Sequence, residues 1–126
     1  MLSKLGMILL TAHAVVLLGV SDTHSAESSR GPISVLIVNS YHPGFTWTDN
    51  VMKGIDKGLR AVFPKAELHV EYMDAKRFAR AEIRSRFAEL LKAKVRGRYF
   101  PVIITSDNIA LETVLDMRPE LFPGAQ

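Results

Sequence analysis

One run of the chain, Asn39-Ser40-Tyr41-His42-Pro43-Gly44-Phe45-Thr46-Trp47, brings hydroxyl, amide, imidazole and aromatic side chains into a single loop. Tyr41 and Trp47 each offer flat apolar surface with one polar handle. Two later clusters, Asp74-Ala75-Lys76-Arg77 and Ser106-Asp107-Asn108, add charge and further hydroxyls. Ser40, Ser106 and the backbone N–H groups that open a helix suit a carboxylate. Asp74 or Asp107 suits an ammonium group. The chemistry is non-covalent recognition of a small organic solute, of amino-acid-like character. The ligand-binding candidates are Asn39, Ser40, Tyr41, His42, Trp47, Asp74, Ser106 and Asp107.

Each candidate also has a plainer reading. Asn39 and Asp107 suit helix caps or loop ties. His42 precedes Pro43, which holds it extended as a turn residue. Trp47 suits packing over a helix start, and Asp74 suits a loop ion pair with Lys76 or Arg77. Tyr72, on an alternating strand, reads as core.

Catalysis has little to stand on. No phosphate-cradling GxxxxGK[ST] and no GxGxxG follows the first strand, and HExxH is absent. His13, His24, His42 and His69 are scattered without ligand spacing, so no metal and no cofactor is expected. Ser40 with His42 supplies no nucleophile–base–acid arrangement, and no catalytic residue is assigned. Cysteine is absent, which removes disulfides, thiolate metal sites and thiolate nucleophiles together. The cations Lys76, Arg77, Arg80, Arg84, Arg86, Lys92, Lys94, Arg96 and Arg98 fill the positions left by an apolar stripe, as on a solvated helix face. That pattern, with a net charge of only +3, argues against a nucleic-acid partner.

The elements that must hold these loops follow from periodicity. Ile33 to Asn39 is an apolar β-branched run without alternation, which suits a strand covered on both faces. Thr46-Trp47-Thr48-Asp49 has the form of a capping box. Val51, Met52, Ile55, Leu59, Val62 and Phe63 then make one apolar helical face, stopped by Pro64. Glu67 to Met73 alternates, with Leu68, Val70 and Tyr72 opposite Glu67, His69 and Glu71; one wet face places it at a sheet edge. Ile83, Phe87, Leu90, Leu91 and Val95 form the buried stripe of a helix from about Arg80 to Arg96. Val102 to Thr105 is a short apolar strand, capped onward by Ser106-Asp107-Asn108 into a helix that reaches Pro119. Strand and helix alternate three times, and right-handed crossovers give an α/β, three-layer parallel sheet in strand order 2-1-3. All three loops after the strands then emerge at one rim. A flavodoxin- or receiver-like enzyme or signalling domain shares this strand order. A receiver, however, wants acids at the end of the first strand, where Asn39-Ser40 stands.

At 126 residues and 48% hydrophobic, the chain suits one small domain. Lys4 followed by the apolar run to Val20, then small polar residues from Ser21 to Ser29, has the layout of a secretory signal. Residues 1–26 are read as that signal, or as a membrane anchor where it is uncleaved, and 27–32 as a linker. The expected location is periplasmic or otherwise extracytoplasmic. The apolar third strand has the composition of an interior strand, so residues 33–126 are expected to be the front part of a longer protein.

The motifs Val35-Leu36-Ile37-Val38-Asn39-Ser40-Tyr41-His42-Pro43-Gly44-Phe45-Thr46-Trp47-Thr48-Asp49, Glu71-Tyr72-Met73-Asp74-Ala75-Lys76-Arg77-Phe78 and Ile104-Thr105-Ser106-Asp107-Asn108-Ile109-Ala110-Leu111 carry a resemblance. In order and spacing they resemble the ABC-transporter-type periplasmic substrate-binding domains found in sensor histidine kinases and diguanylate cyclases. The resemblance covers about residues 33 to 123. It implies a partial amino-terminal lobe of a class I periplasmic-binding-protein fold, with ligand held in a cleft against a second lobe. It implies an inner-membrane permease or a sensor-kinase module as partner, and no enzymatic activity for this stretch.

Overall fold

The computed structural model describes residues 32–126; the expected signal (1–26) and nearly all of the 27–32 linker lie outside the described residues. The elements are β1 (Ser34–Asn39), α1 (Thr46–Val62), β2 (Glu67–Tyr72), α2 (Arg80–Val95), β3 (Val102–Ser106) and α3 (Asn108–Leu121). The strands form one parallel sheet in the order β2-β1-β3, as the sequence pattern predicts. Among the described residues no helix is long and apolar enough to cross a membrane.

β1 is central, and its residues Val35 to Asn39 are buried. Side chains alternate across a strand, so its two faces meet different layers. Leu36 and Val38 point into the main core, with Met73, Phe87 and Leu91 of the β2–α2 unit and Ala110, Val114 and Met117 of α3. Val35, Ile37 and Asn39 point the other way, where the Asn39 amide reaches Met52 of α1. Full burial of each aliphatic side chain is worth about 1.5–3 kcal/mol, so β1 alone secures much of the fold. The register sets Asn39 beside Tyr72 on one flank and Ser106 on the other, which levels the carboxyl ends of all three strands.

Several local expectations change. The helix cap of α1 is Phe45 rather than Thr46, and no side chain caps it; Asp49 accepts the Gly44 N–H at 3.0 Å instead of closing a capping box. The apolar face of α1 is thinly covered, with Val62 69% and Phe63 45% exposed, because a single helix spans that face of the sheet. β2 does lie at the sheet edge, and its polar side is wet at Glu67 and half-covered at His69 and Glu71. Lys94 pairs with Glu71, and the His69 ring meets Phe100 edge-on at 5.1 Å, so α2 and the segment after it partly cover those two positions. Leu90 leaves the buried stripe and is 52% exposed. Pro119 does not stop α3, which runs on to Leu121. Its missing N–H falls opposite the Leu115 carbonyl, within the last turns of the helix. Ser106 ends β3, and Asp107 is the N-cap residue of α3.

The cations of α2 turn out to be paired across the surface. Arg80 and Arg84 share Glu112, Arg84 also meets Asp116, and Lys92 meets Glu120, all on α3. Exposed pairs of this kind are worth about 0.2–1 kcal/mol each, so they align the two helices more than they hold them. At the outer side of β3 the Gln126 N–H donates to the Pro101 carbonyl and the Ile103 N–H donates to the Gln126 carbonyl, both at 3.0 Å. Phe122 and Ala125 are buried beneath that segment.

Candidate functional site

The turns after the three strands are joined to one another by named hydrogen bonds. Ser40, the first residue after β1, is the joint. Its N–H donates to the Ser106 carbonyl at 3.1 Å, and its hydroxyl donates to the same oxygen at 2.9 Å. That hydroxyl accepts the Ala110 N–H at 2.9 Å, capping α3 from another element. The Ser40 carbonyl accepts the Ala75 N–H at 2.8 Å, which ties in the turn after β2. Ser40 is buried beneath the rim, with its hydroxyl engaged by Ser106 and Ala110.

Tyr41 stands above this joint. Its hydroxyl donates to Asp107 Oδ2 at 2.9 Å, linking the loops after β1 and β3. That bond, with burial second, raises the Tyr41 phenol above its ordinary pKa, because donation to a carboxylate favours the neutral form. Phe45 meets the Tyr41 ring edge-on at 5.4 Å, and His42 approaches Phe45 at 5.9 Å. The His42 ring nitrogen Nδ1 also lies 3.0 Å from the Pro43 carbonyl. Over these rings sits the Lys76 ammonium, 4.5 Å from the Tyr41 centroid and 5.5 Å from that of Phe45. Such contacts are worth about 0.5–1 kcal/mol at exposed positions.

Two rim aspartates occupy backbone conformations that favour glycine, Asp74 at φ 60° and Asp107 at φ 74°. Conformations of this kind cost of order 1–3 kcal/mol and persist where the surroundings hold them. At Asp107 the holding bonds are visible: Oδ1 accepts the Asn108 N–H at 2.7 Å while Oδ2 accepts Tyr41. At Asp74, Oδ2 accepts from Arg77 at 3.3 Å, and Oδ1 is enclosed without a partner among the described residues.

The predicted site residues therefore fall into three groups. Tyr41, His42 and Asp107 share an open lip, with Asp74 at its β2 side. Asn39, Ser40 and Ser106 lie beneath it, buried. Trp47 stands 57% exposed on the first turn of α1 and joins none of the ring contacts. Phe45 and Lys76 belong to the lip but were not among the predicted residues. The four-residue step from Tyr41 to Phe45 was a usable signal for the first. Nothing in the sequence separated Lys76 from its neighbour Arg77 as the partner of Asp74. Below the lip, Asn39 Oδ1 and Thr48 Oγ1 are enclosed with no partner among the described residues.

The lip is open rather than enclosed. Two surface hollows of about 360 and 290 Å³ lie at the other end of the sheet, around Lys92, Arg96 and Glu120 and around Glu67, His69 and Tyr99. Among the described residues no group of three His, Asp or Glu side chains is placed to hold a metal ion. Comparison with protein-family models, with curated proteins and with solved structures finds no match to this chain.

Proposed function

We propose that residues 33–126 form part of the amino-terminal lobe of a class I periplasmic-binding-protein-like solute receptor. The lobe captures a small organic solute non-covalently at the carboxyl ends of its parallel strands. The protein is exported by its leader, and lobe closure around the solute is read by an inner-membrane permease or a sensor-kinase module. One observation carries this reading: the loops after all three strands are locked together through Ser40, Tyr41 and Asp107, leaving aromatic faces and charge on the outer side. A parallel sheet concentrates its ligand contacts at this end because every strand delivers its following loop there. The solute works through differential contacts with open and closed arrangements, so no bond need be made or broken.

The experiment is a thermal-shift screen of the full chain against amino acids, small carboxylates and purines. A ligand at ten times its Kd adds about 1.4 kcal/mol, or on the order of 5–10 °C for a domain of this size. A hit is then mapped by amide chemical shifts, expected at Tyr41 to Phe45, Ala75 to Arg77 and Asp107. Hits that shift only residues around Lys92 and Glu120, or a screen with no stabilising solute, would overturn the proposal.

A further inference from the structure

The two ends of the sheet differ in how their charges are balanced. At the carboxyl end cations and acids interleave: Arg77 meets Asp74, Arg80 meets Glu112, and Asp49 and Asp107 stand at the starts of α1 and α3. At the amino end all three helices finish. Each last turn carries a cation that answers the partial negative charge of the helix terminus: Arg60, Lys94 and Arg118. Lys92 is held there by Glu120. Lys65, Arg96 and Arg98 lie beyond those turns, exposed, and form no ion pair among the described residues. The Arg98 guanidinium meets only the His69 ring nitrogen Nδ1, at 3.1 Å, which leaves most of its donor fork free. The acid beside them is the exposed Glu67, which lines one surface hollow together with Arg98 and Tyr99. Cations therefore prevail at this end.

Apolar surface lies among them. Val62 and Tyr99 are each 69% exposed, and Phe63 is 45% exposed. A turn closed by the Ala66 N–H on the Phe63 carbonyl sets Lys65 beside that pair. Gly97, at φ 72°, turns the chain after α2 and leaves Arg96, Arg98 and Tyr99 all facing solvent. Rings and aliphatic groups interleaved with unpaired cations suit the headgroup level of a membrane.

The chain also enters the domain here. Ile33, whose carbonyl accepts the Glu67 N–H at 2.9 Å, leads into β1, and the apolar run from Leu5 to Val20 precedes it in sequence. The stretch from Ser21 to Gly31 reaches about 40 Å at most. A bilayer that holds the apolar run meets this end of the sheet first.

We propose that the amino end of the sheet docks on an anionic lipid bilayer. Lys65, Arg96 and Arg98 take the lipid phosphates, and Val62, Phe63 and Tyr99 settle among the headgroups. Each cation near such a surface contributes roughly fivefold in affinity. The rim then faces away from the lipid, so this proposal stands or falls separately from the reading of the rim as a solute site.

The test mixes the full chain with vesicles of phosphatidylcholine alone, or of phosphatidylcholine and phosphatidylglycerol in equal parts, with acyl chains brominated near the headgroup to quench tryptophan. Trp47 is the native reporter at the carboxyl end, and Tyr99→Trp in a Trp47→Phe background moves the reporter to the amino end. Quenching is expected at position 99 with the anionic vesicles only, reversed by about 0.5 M salt, and at Trp47 with neither. Arg96→Gln with Arg98→Gln is expected to weaken it on the order of tenfold or more. Lys53→Gln with Lys57→Gln, on exposed α1 surface, is expected to leave it unchanged. The leader is the same in every variant, so its own insertion does not produce that contrast, and an unchanged circular-dichroism melt shows the fold intact. Equal quenching in both vesicles, stronger quenching at Trp47, or equal loss with both pairs of substitutions overturns the proposal. So does the absence of quenching at position 99; a dimer in sedimentation that Val62→Ser disperses would then give the patch to a second copy of the chain.

Discussion

Replacing Ser40 by alanine tests the joint on which the rim depends. The hydroxyl makes two bonds, but their loss is unequal. The Ser106 carbonyl keeps the Ser40 N–H at 3.1 Å, so it remains satisfied. The Ala110 N–H has no such reserve: Ser40 Oγ is its acceptor, and Ala110 is fully buried, so water does not replace it. An enclosed donor left without an acceptor costs about 1–3 kcal/mol, and loss of a helix cap costs about 0.5–2 kcal/mol by an independent route. These describe one event and are not summed. The expected destabilisation is about 2 kcal/mol, a drop of about 8–16 °C in Tm at the scale of a domain under 100 residues. Urea unfolding of the full chain, followed by circular dichroism, reads it directly. Tyr41→Phe is the control: it removes an exposed bond from the same loop and should cost under about 1 kcal/mol. If Ser40→Ala falls within about 0.5 kcal/mol of the parent at unchanged m-value, the hydroxyl does not hold the rim and the joint is misassigned.

Asp107→Asn should bring the Tyr41 phenol down toward its ordinary value, since the Asp107 carboxylate is the chief cause of the rise. A phenol whose folded pKa is raised stabilises below its unfolded value and loses that contribution as pH climbs through the folded one. The variant should therefore lose less stability above about pH 10, measured by phenolate absorbance and alkaline melts. At Glu112 the sign reverses. The hydrogen bond from Arg80 holds its carboxyl below the ordinary value, so its contribution is present above that value and lost as pH falls through the folded one. Arg80→Met should raise the Glu112 titration, seen in carboxyl NMR shifts, with little change in stability at neutral pH. Leu91→Ala, at a fully buried position, should cost about 2–5 kcal/mol in urea melts; a smaller loss would mean that α2 packs loosely on the sheet.

The order of elements was legible because β1 is an unbroken apolar run and each helix announces itself by three- and four-residue spacing. Position within the elements was less so. Thr46 has the chemistry of a helix cap, yet the φ −82° and ψ 117° of Phe45 put the cap one residue earlier, and sequence gives no view of that backbone turn. Glu71 and His69 read as wet because their partners, Lys94 and Phe100, lie far along the chain. At the rim, residue types indicated which loops would meet but not which side chains would be enclosed. Ser40 and Tyr41 are neighbours in sequence, and only tertiary contact makes one a buried strut and the other part of the lip. Lys76 and Arg77 were interchangeable until the turn after β2 aimed one at rings and the other at Asp74.

The two flanks of the sheet are defended unequally. β2 carries Glu67, His69 and Glu71 on one side, with Lys94 and Arg98 reaching in from α2 and its C-terminal turn. β3 carries Val102, Ile103, Ile104, Thr105 and Ser106, with no charge or proline, and Gln126 holds the Pro101 carbonyl just before it and the Ile103 N–H within it. Charge near an edge is a known deterrent to strand addition, and here it guards one side alone. The β3 flank is therefore the less guarded against strand addition, and any such pairing at high protein concentration would read as slowed hydrogen exchange at Thr105 with β2 unchanged.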